Sequence, residues 1–301
     1  MKKYTAIKYV LFILMILSSC KDINELNYSV RSIQDLKEYN EYEISNSRDF
    51  PEFLYQEESA PELKRLRNKY NLDAIAGKGT DLERAINLLK WTHEAIPHED
   101  EYNLQVLNAV TIIETYKNKG ISQGCYPIAI TFNEVLLSMG YKARIVICFP
   151  KDFNSPNGGH VINTVFIPSL NKWAWMDAQE NAYLVDENRQ LLSIQEVRER
   201  LILSQKLILN KDANYHGEVS NIKYYLEEFM SPFLYRFISP INSEYNSETR
   251  DSGKILTYVE LLPLGPPSPP KERQYFETHE TKEYKVVTYH TNNAKLFWEV
   301  Q

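Results

Sequence analysis

Cysteine is scarce: the 301 residues carry only Cys20, Cys125 and Cys148. That number cannot build a disulfide framework or a four-cysteine zinc site. The hydrophobic run Tyr9–Leu17 is only nine residues long, too short at about 1.5 Å per residue for the ~30 Å core of a bilayer. Basic residues are outnumbered, 34 against 40 acidic, for a net charge of −6. Such a surface repels a phosphate backbone, and no Lys/Arg-dense stripe offsets it, so nucleic acid is excluded as a partner. Neither an HExxH pair nor a calcium-loop pattern occurs, so no metal or other cofactor is expected. What remains is ordinary globular material: 43% hydrophobic, 25% charged and 12% aromatic residues. The length fits one large domain or two small ones.

Residues 1–19 read as an address. Lys2, Lys3 and Lys8 make a basic start, Tyr9–Leu17 an apolar run, and Ser18-Ser19-Cys20 a small-residue exit. The pattern is that of a signal peptide, and Leu17-Ser18-Ser19-Cys20 resembles a bacterial lipobox. That resemblance implies lipidation of Cys20 (palmitate among the acyl chains) and a place in the cell envelope, most simply the outer membrane. Multiple acyl chains anchor a protein stably where one chain does not. Without residues 1–19 the charge becomes −9, from 31 basic and 40 acidic residues.

Along the mature chain, residues 20–79 read as a tether, with a short helix near Arg31–Tyr39, followed by a helical segment. A helix is expected from the Thr80-Asp81 cap to about Ala95, and another over Leu104–Lys119 closed by Gly120. Ser122-Gln123-Gly124-Cys125-Tyr126-Pro127 leads into an apolar face that stops at Gly140. Proline is tolerated only in a first helical turn, which puts Cys125 at a helix N-terminus. Strands follow at Tyr141–Pro150, His160–Ile167 and Trp173–Met176, then a helix over Ser193–Leu201 with a capping box at Ser193 and Glu196. Beyond the core, assigned to 80–205, residues 206–301 form an aromatic-rich β extension. Its strands are expected at Lys254–Leu262, Gln274–Glu277, Tyr284–Tyr289 and Ala294–Val300, with a stiff connection at 266–270.

Three residues carry the chemistry. A thiol at a helix N-terminus sits among unpaired N–H groups and a partial positive charge, which favours the thiolate of Cys125. His160 opens a strand directly after the loop Asn157-Gly158-Gly159, where its side chain can reach a cleft. Asp177 ends the partner strand, and antiparallel pairing across Leu170–Lys172 brings it to the same end of the sheet as His160. Nucleophile, base and orienting carboxylate then meet in one place. Cys148, mid-strand, reads as a buried thiol, although a Cys125–Cys148 bridge stays open. His93 and His98 flank a helix end without metal-ligand spacing, and His216, His279 and His290 read as solvated.

Gly124-Cys125, the apolar helix ending at Gly140, Ala143-Arg144, His160-Val161-Ile162-Asn163, Lys172-Trp173 and Met176-Asp177 together resemble the transglutaminase-like superfamily, more narrowly its Bacteroidetes lipoproteins. The resemblance covers residues 80–205. It implies an α+β, papain-like core, with the cysteine-bearing helix packed on an antiparallel sheet, and a Cys125–His160–Asp177 triad. By analogy with papain-like enzymes, Gln123 would lend an oxyanion donor. Ala178 stands where the family more often has proline. The implied activity is that of a cysteine hydrolase or acyltransferase acting on amide bonds of protein or peptide, cell-wall peptide included. Two other readings remain: a silent surface binding module on the same fold, supported by the aromatic 206–301 region, and a cell-wall endopeptidase of another family, whose Asp-Cys-Ser-Gly context is missing here.

Overall fold

The computed structural model describes residues 29–43, 51–99, 104–152, 158–265, 276–281 and 283–299. The signal segment, Cys20 and the connection 266–270 lie outside the described residues. Among the described residues no helix is long and apolar enough to cross a membrane.

Helix α1 (29–38) is not a free tether, since Leu36 is fully buried in the core and Lys151 Nζ lies 2.7 Å from Asp35. Helix α2 (Pro61–Lys69) and α3 (Leu72–Ala76) bury Leu63, Leu66 and Leu72. A capping box of Thr80 and Glu83 starts α4 (Asp81–Ala95). Helix α5 (Ala109–Lys119) begins later than the apolar pattern alone predicts, because the Asn108 side chain accepts from the Thr111 N–H and sets the cap there. It ends at Gly120, whose φ of +66° closes the helix at low cost. Helix α6 (Cys125–Ser138) starts directly at Cys125 and is buried on every side from Pro127 onward, as befits the central helix of a core.

After α6 come β1 (Ala143–Phe149), β2 (His160–Ile167), β3 (Lys172–Met176) and α7 (Ile194–Ile202), the last opened by the Ser193–Glu196 capping box. Four strands follow: β4 (Arg236–Pro240), β5 (Ile255–Leu261), β6 (Phe276–Glu280) and β7 (Lys285–Thr291). All seven form one sheet in the order β6-β7-β5-β4-β1-β2-β3. Only the β5–β7 pair is parallel. The fold is therefore α+β, with the cysteine-bearing helix on a largely antiparallel sheet. The C-terminal strands extend that same sheet, through β4 beside β1.

Alternation along β1 divides the core. Ala143 and Ile145 join α2–α6 in one cluster, while Val146 and Cys148 face a second cluster containing Ile162, Trp175, Tyr225, Phe237 and Phe297. The segment expected as a last strand is instead α8 (Ala294–Trp298). Asn293 caps it by accepting from the Leu296 N–H, and the buried Ala294 and Phe297 are three apart, a helical spacing. His290 is not solvated either: its buried Nδ1 lies 2.7 Å from Glu260, which also pairs with Arg236.

Candidate active site

Gly124 caps α6 without a side chain, so the N–H groups of Cys125 and Tyr126 have no partner within the helix. Those donors and the helix dipole surround the Cys125 thiol, which is partly exposed. Cys148 is also a free thiol, fully buried, and burial pushes its ionisation well above the usual range. It stays neutral and shielded.

His160 begins β2 opposite Cys148. Gly159 makes this possible: a Cβ there would meet the Cys148 carbonyl oxygen at 2.6 Å and the Phe149 ring at 2.7 Å. The β2–β3 register pairs Asn163 with Met176, which sets Asp177 diagonally across from His160 on the same face. The side chains meet there, with His160 Nε2 2.8 Å from Asp177 Oδ2 and both residues buried. The Cys125 side chain acts on the His160 ring in the same direction as Asp177; with Nε2 turned to Asp177, Nδ1 is the nitrogen left to serve the thiol. Burial works against the imidazolium, but the charge and hydrogen bond of Asp177, then those of Cys125, outweigh it. His160 is pushed up to about 10.

Asp177 is held on both oxygens. Oδ1 accepts from the Gln179 N–H at 2.9 Å and the Glu180 N–H at 3.3 Å, and Oδ2 accepts from the Tyr225 hydroxyl at 2.9 Å. Backbone bonds in both directions between Asp177 and Ala182 close the turn, with Asn181 at φ +47°. A proline at position 178 is not needed for this closure. From α4, His93 Nδ1 meets the Gln179 carbonyl at 2.9 Å and Nε2 meets Asn214 Oδ1 at 3.0 Å, so this histidine ties the loop in place.

Gln123 is buried beside the thiol helix, paired through its backbone with residues 97–99. Its Nε2 donates to the Ile121 carbonyl at 3.0 Å, and Oε1 has no partner. Among the described residues, no group of three or more His, Cys, Asp or Glu side chains could hold a metal.

Three further residues were not foreseen. Glu180 is buried, with Oε2 accepting from the Ser220 hydroxyl at 3.1 Å and Oε1 from Gln179 Nε2 at 3.2 Å. Burial, then the charge of Asp177, pushes its carboxyl up to about 7. Tyr225 also accepts from Trp175 Nε1 at 2.9 Å, and Phe229 packs edge-on against His160 with ring centroids 4.9 Å apart. The aromatic run 224–237 was the only signal in the sequence for Tyr225 and Phe229, and Glu180 had none.

The comparisons bear on part of this arrangement. No curated protein matches the chain significantly. A solved structure named "Putative Cysteine Protease" from Cytophaga hutchinsonii aligns at 14% identity with a TM-score of 0.32, over 57% of each chain. The alignment thus spans little more than half the length of that relative. The family model of the transglutaminase-like superfamily matches residues 68–178, a span from α2 to just beyond Asp177. The stretch carrying Gly124-Cys125, His160 and Asp177 thus lies within the part of the chain, residues 68–178, that is similar to the transglutaminase-like superfamily.

Proposed function

We propose that the chain is a thiol enzyme acting on amide bonds of protein or peptide substrates, with Cys125 as nucleophile, His160 as acid and base, and Asp177 as the orienting carboxylate. The observation that carries the reading is the buried His160–Asp177 pair at 2.8 Å beside a thiol at the first residue of a helix. With the Asp177 carboxyl group beside it, His160 holds a proton through neutral pH and so can pair with the thiolate form of Cys125. The thiolate adds to the substrate carbonyl carbon. The resulting oxyanion faces the free N–H groups at the start of α6, with the buried Gln123, two residues before the thiol, as the proposed side-chain donor. His160 gives its proton to the nitrogen of the departing amine as the C–N bond breaks, leaving a thioester on Cys125. Water or a second amine, losing its proton to His160, then releases the acyl group as an acid or a new amide.

The anchor belongs to the same proposal. The N-terminal pattern supports lipidation at Cys20 and a position in the cell envelope, where extracellular or cell-wall peptides are within reach. Metabolic labelling with an alkynyl fatty acid, present in wild type and lost in Cys20→Ala, is the expected result, and equal labelling of both would refute it. For the chemistry, the protein is incubated with casein and a fluorescent alkylamine, and separately with peptide p-nitroanilides. Either incorporation or amine release is expected in wild type and absent in Cys125→Ala and His160→Ala. Turnover in neither assay returns the chain to the binding-module reading.

A further inference from the structure

We propose that Tyr225, which lies outside the family segment, is a positioning residue for Asp177, and that with Phe229 it walls the His160–Asp177 pair off from water. The inference rests on the triad reading for its catalytic consequence, though not for its test.

The geometry is a relay of three groups. Trp175 Nε1 donates to the Tyr225 oxygen at 2.9 Å, and the Tyr225 hydroxyl donates to Asp177 Oδ2 at 2.9 Å. Trp175 can only donate, so the tyrosine oxygen must accept, which turns its proton toward the carboxylate. Burial, then the charge of Asp177, keeps the phenol protonated across any working pH. Oδ2 therefore has two donors, Tyr225 and His160 Nε2. Two donors on one oxygen share its electron density, so the tyrosine weakens the pull of Asp177 on the imidazolium. A general acid held less tightly gives its proton to the leaving amine more readily.

A π-helical turn, Lys223–Met230, presents these groups, a geometry common at functional sites because it re-aims side chains within a helix. Phe229, four residues after Tyr225, packs against both partners, 6.4 Å between ring centroids from Tyr225 and 4.9 Å from His160. Tyr225 and His160 are almost completely buried. Such closure keeps the dielectric low around the ion pair.

Proton NMR of the far-downfield region provides the test. The resonance of the proton between His160 and Asp177 is identified by its loss in both His160→Ala and Asp177→Asn. In Tyr225→Phe, Oδ2 has one donor fewer, so the resonance moves further downfield. With the imidazolium held more tightly, iodoacetamide alkylation of Cys125 at pH 5.5 rises about two-fold or more. Trp175→Phe keeps the hydroxyl but removes the donor that polarises it, giving a smaller shift of the same sign, and it serves if Tyr225→Phe does not fold. A resonance and an alkylation rate unchanged from wild type in these variants would overturn the proposal. Wild-type Cys125 reacting as an ordinary free thiol would instead refute the enzyme function, and the resonance shift would still decide the role of Tyr225.

Discussion

Removing the charge of Asp177 is the sharpest perturbation available. In Asp177→Asn the fold keeps nearly the same shape, but His160 loses the interaction that outweighs its burial. A rise from the ordinary 6.5 to about 10 corresponds to roughly 5 kcal/mol in favour of the imidazolium. With the carboxylate gone, only the weaker influence of Cys125 opposes burial, and the imidazolium is held much less firmly near pH 7. Each unit of lost imidazolium stability lowers the thiolate–imidazolium population about ten-fold. The assay is iodoacetamide alkylation from pH 5 to 9 in a Cys148→Ala background. At pH 6.5 the Asp177→Asn protein is expected to react at least about ten-fold more slowly than its parent. The same group links to stability. Because the folded value of His160 is raised, its contribution is complete below about pH 6.5 and is lost as pH rises toward about 10. Thermal unfolding of the parent should therefore weaken over that window more than that of Asp177→Asn. Superimposable alkylation profiles, with equal slopes of stability against pH, would refute the reasoning.

Gly159→Ala places a methyl group 2.6 Å from the Cys148 carbonyl, so β2 must shift at His160. Slower Cys125 alkylation is expected, with a stability loss of roughly 1–3 kcal/mol in denaturant titration. Thr80→Ala breaks the capping box at the start of α4, remote from the thiol. About 1 kcal/mol of stability is expected to go while the alkylation profile stays fixed, which separates a fold effect from a site effect. Glu180 is neutral below about pH 7 and charged above it, so Glu180→Gln is silent at pH 6. Above pH 7 the variant lacks a negative charge that helps hold the His160 proton, and it should show a lower upper limb in the NMR titration of His160.

Local rules made much of the architecture legible. The N-cap at Thr80, the capping box at Ser193, the first-turn Pro127 and the β-branched run of β1 each fix an element from a few neighbouring residues, and all four are where they were expected. His160–Ile167 carries its boundaries in the preceding glycines and the following proline. The proximity of His160 and Asp177 was legible too, because a short hairpin turn dictates register. Long-range contacts were not. Nothing near Leu36 reveals that it enters the second core, and nothing near His290 reveals Glu260 beside it on the neighbouring strand. α8 was misread as a strand because its five residues are too few to separate a period of 2 from one of 3.6.

The boundary at residue 178, where the family match ends, is a boundary of sequence similarity and not of physical structure. β1 has two neighbours, β2 on one side and β4 on the other, so the strand opposite His160 is itself held by the C-terminal half. Arg236, which opens β4, reaches back to the Pro150 carbonyl at 3.1 Å and fixes the end of β1 next to the loop that delivers His160. Tyr225 and Phe229 complete the enclosure of the same histidine. A fragment stopping near residue 205 would expose the face carrying Val146, Cys148 and Trp175 to water. It would also leave the indole N–H of Trp175 without its tyrosine acceptor and Asp177 without one of its donors. At about 25 cal/mol per Å² of apolar surface, exposing that face would cost a large share of the marginal stability of a domain this size. The aromatic region thus acts as the second wall of the site, and the site cannot be assembled from the family segment by itself.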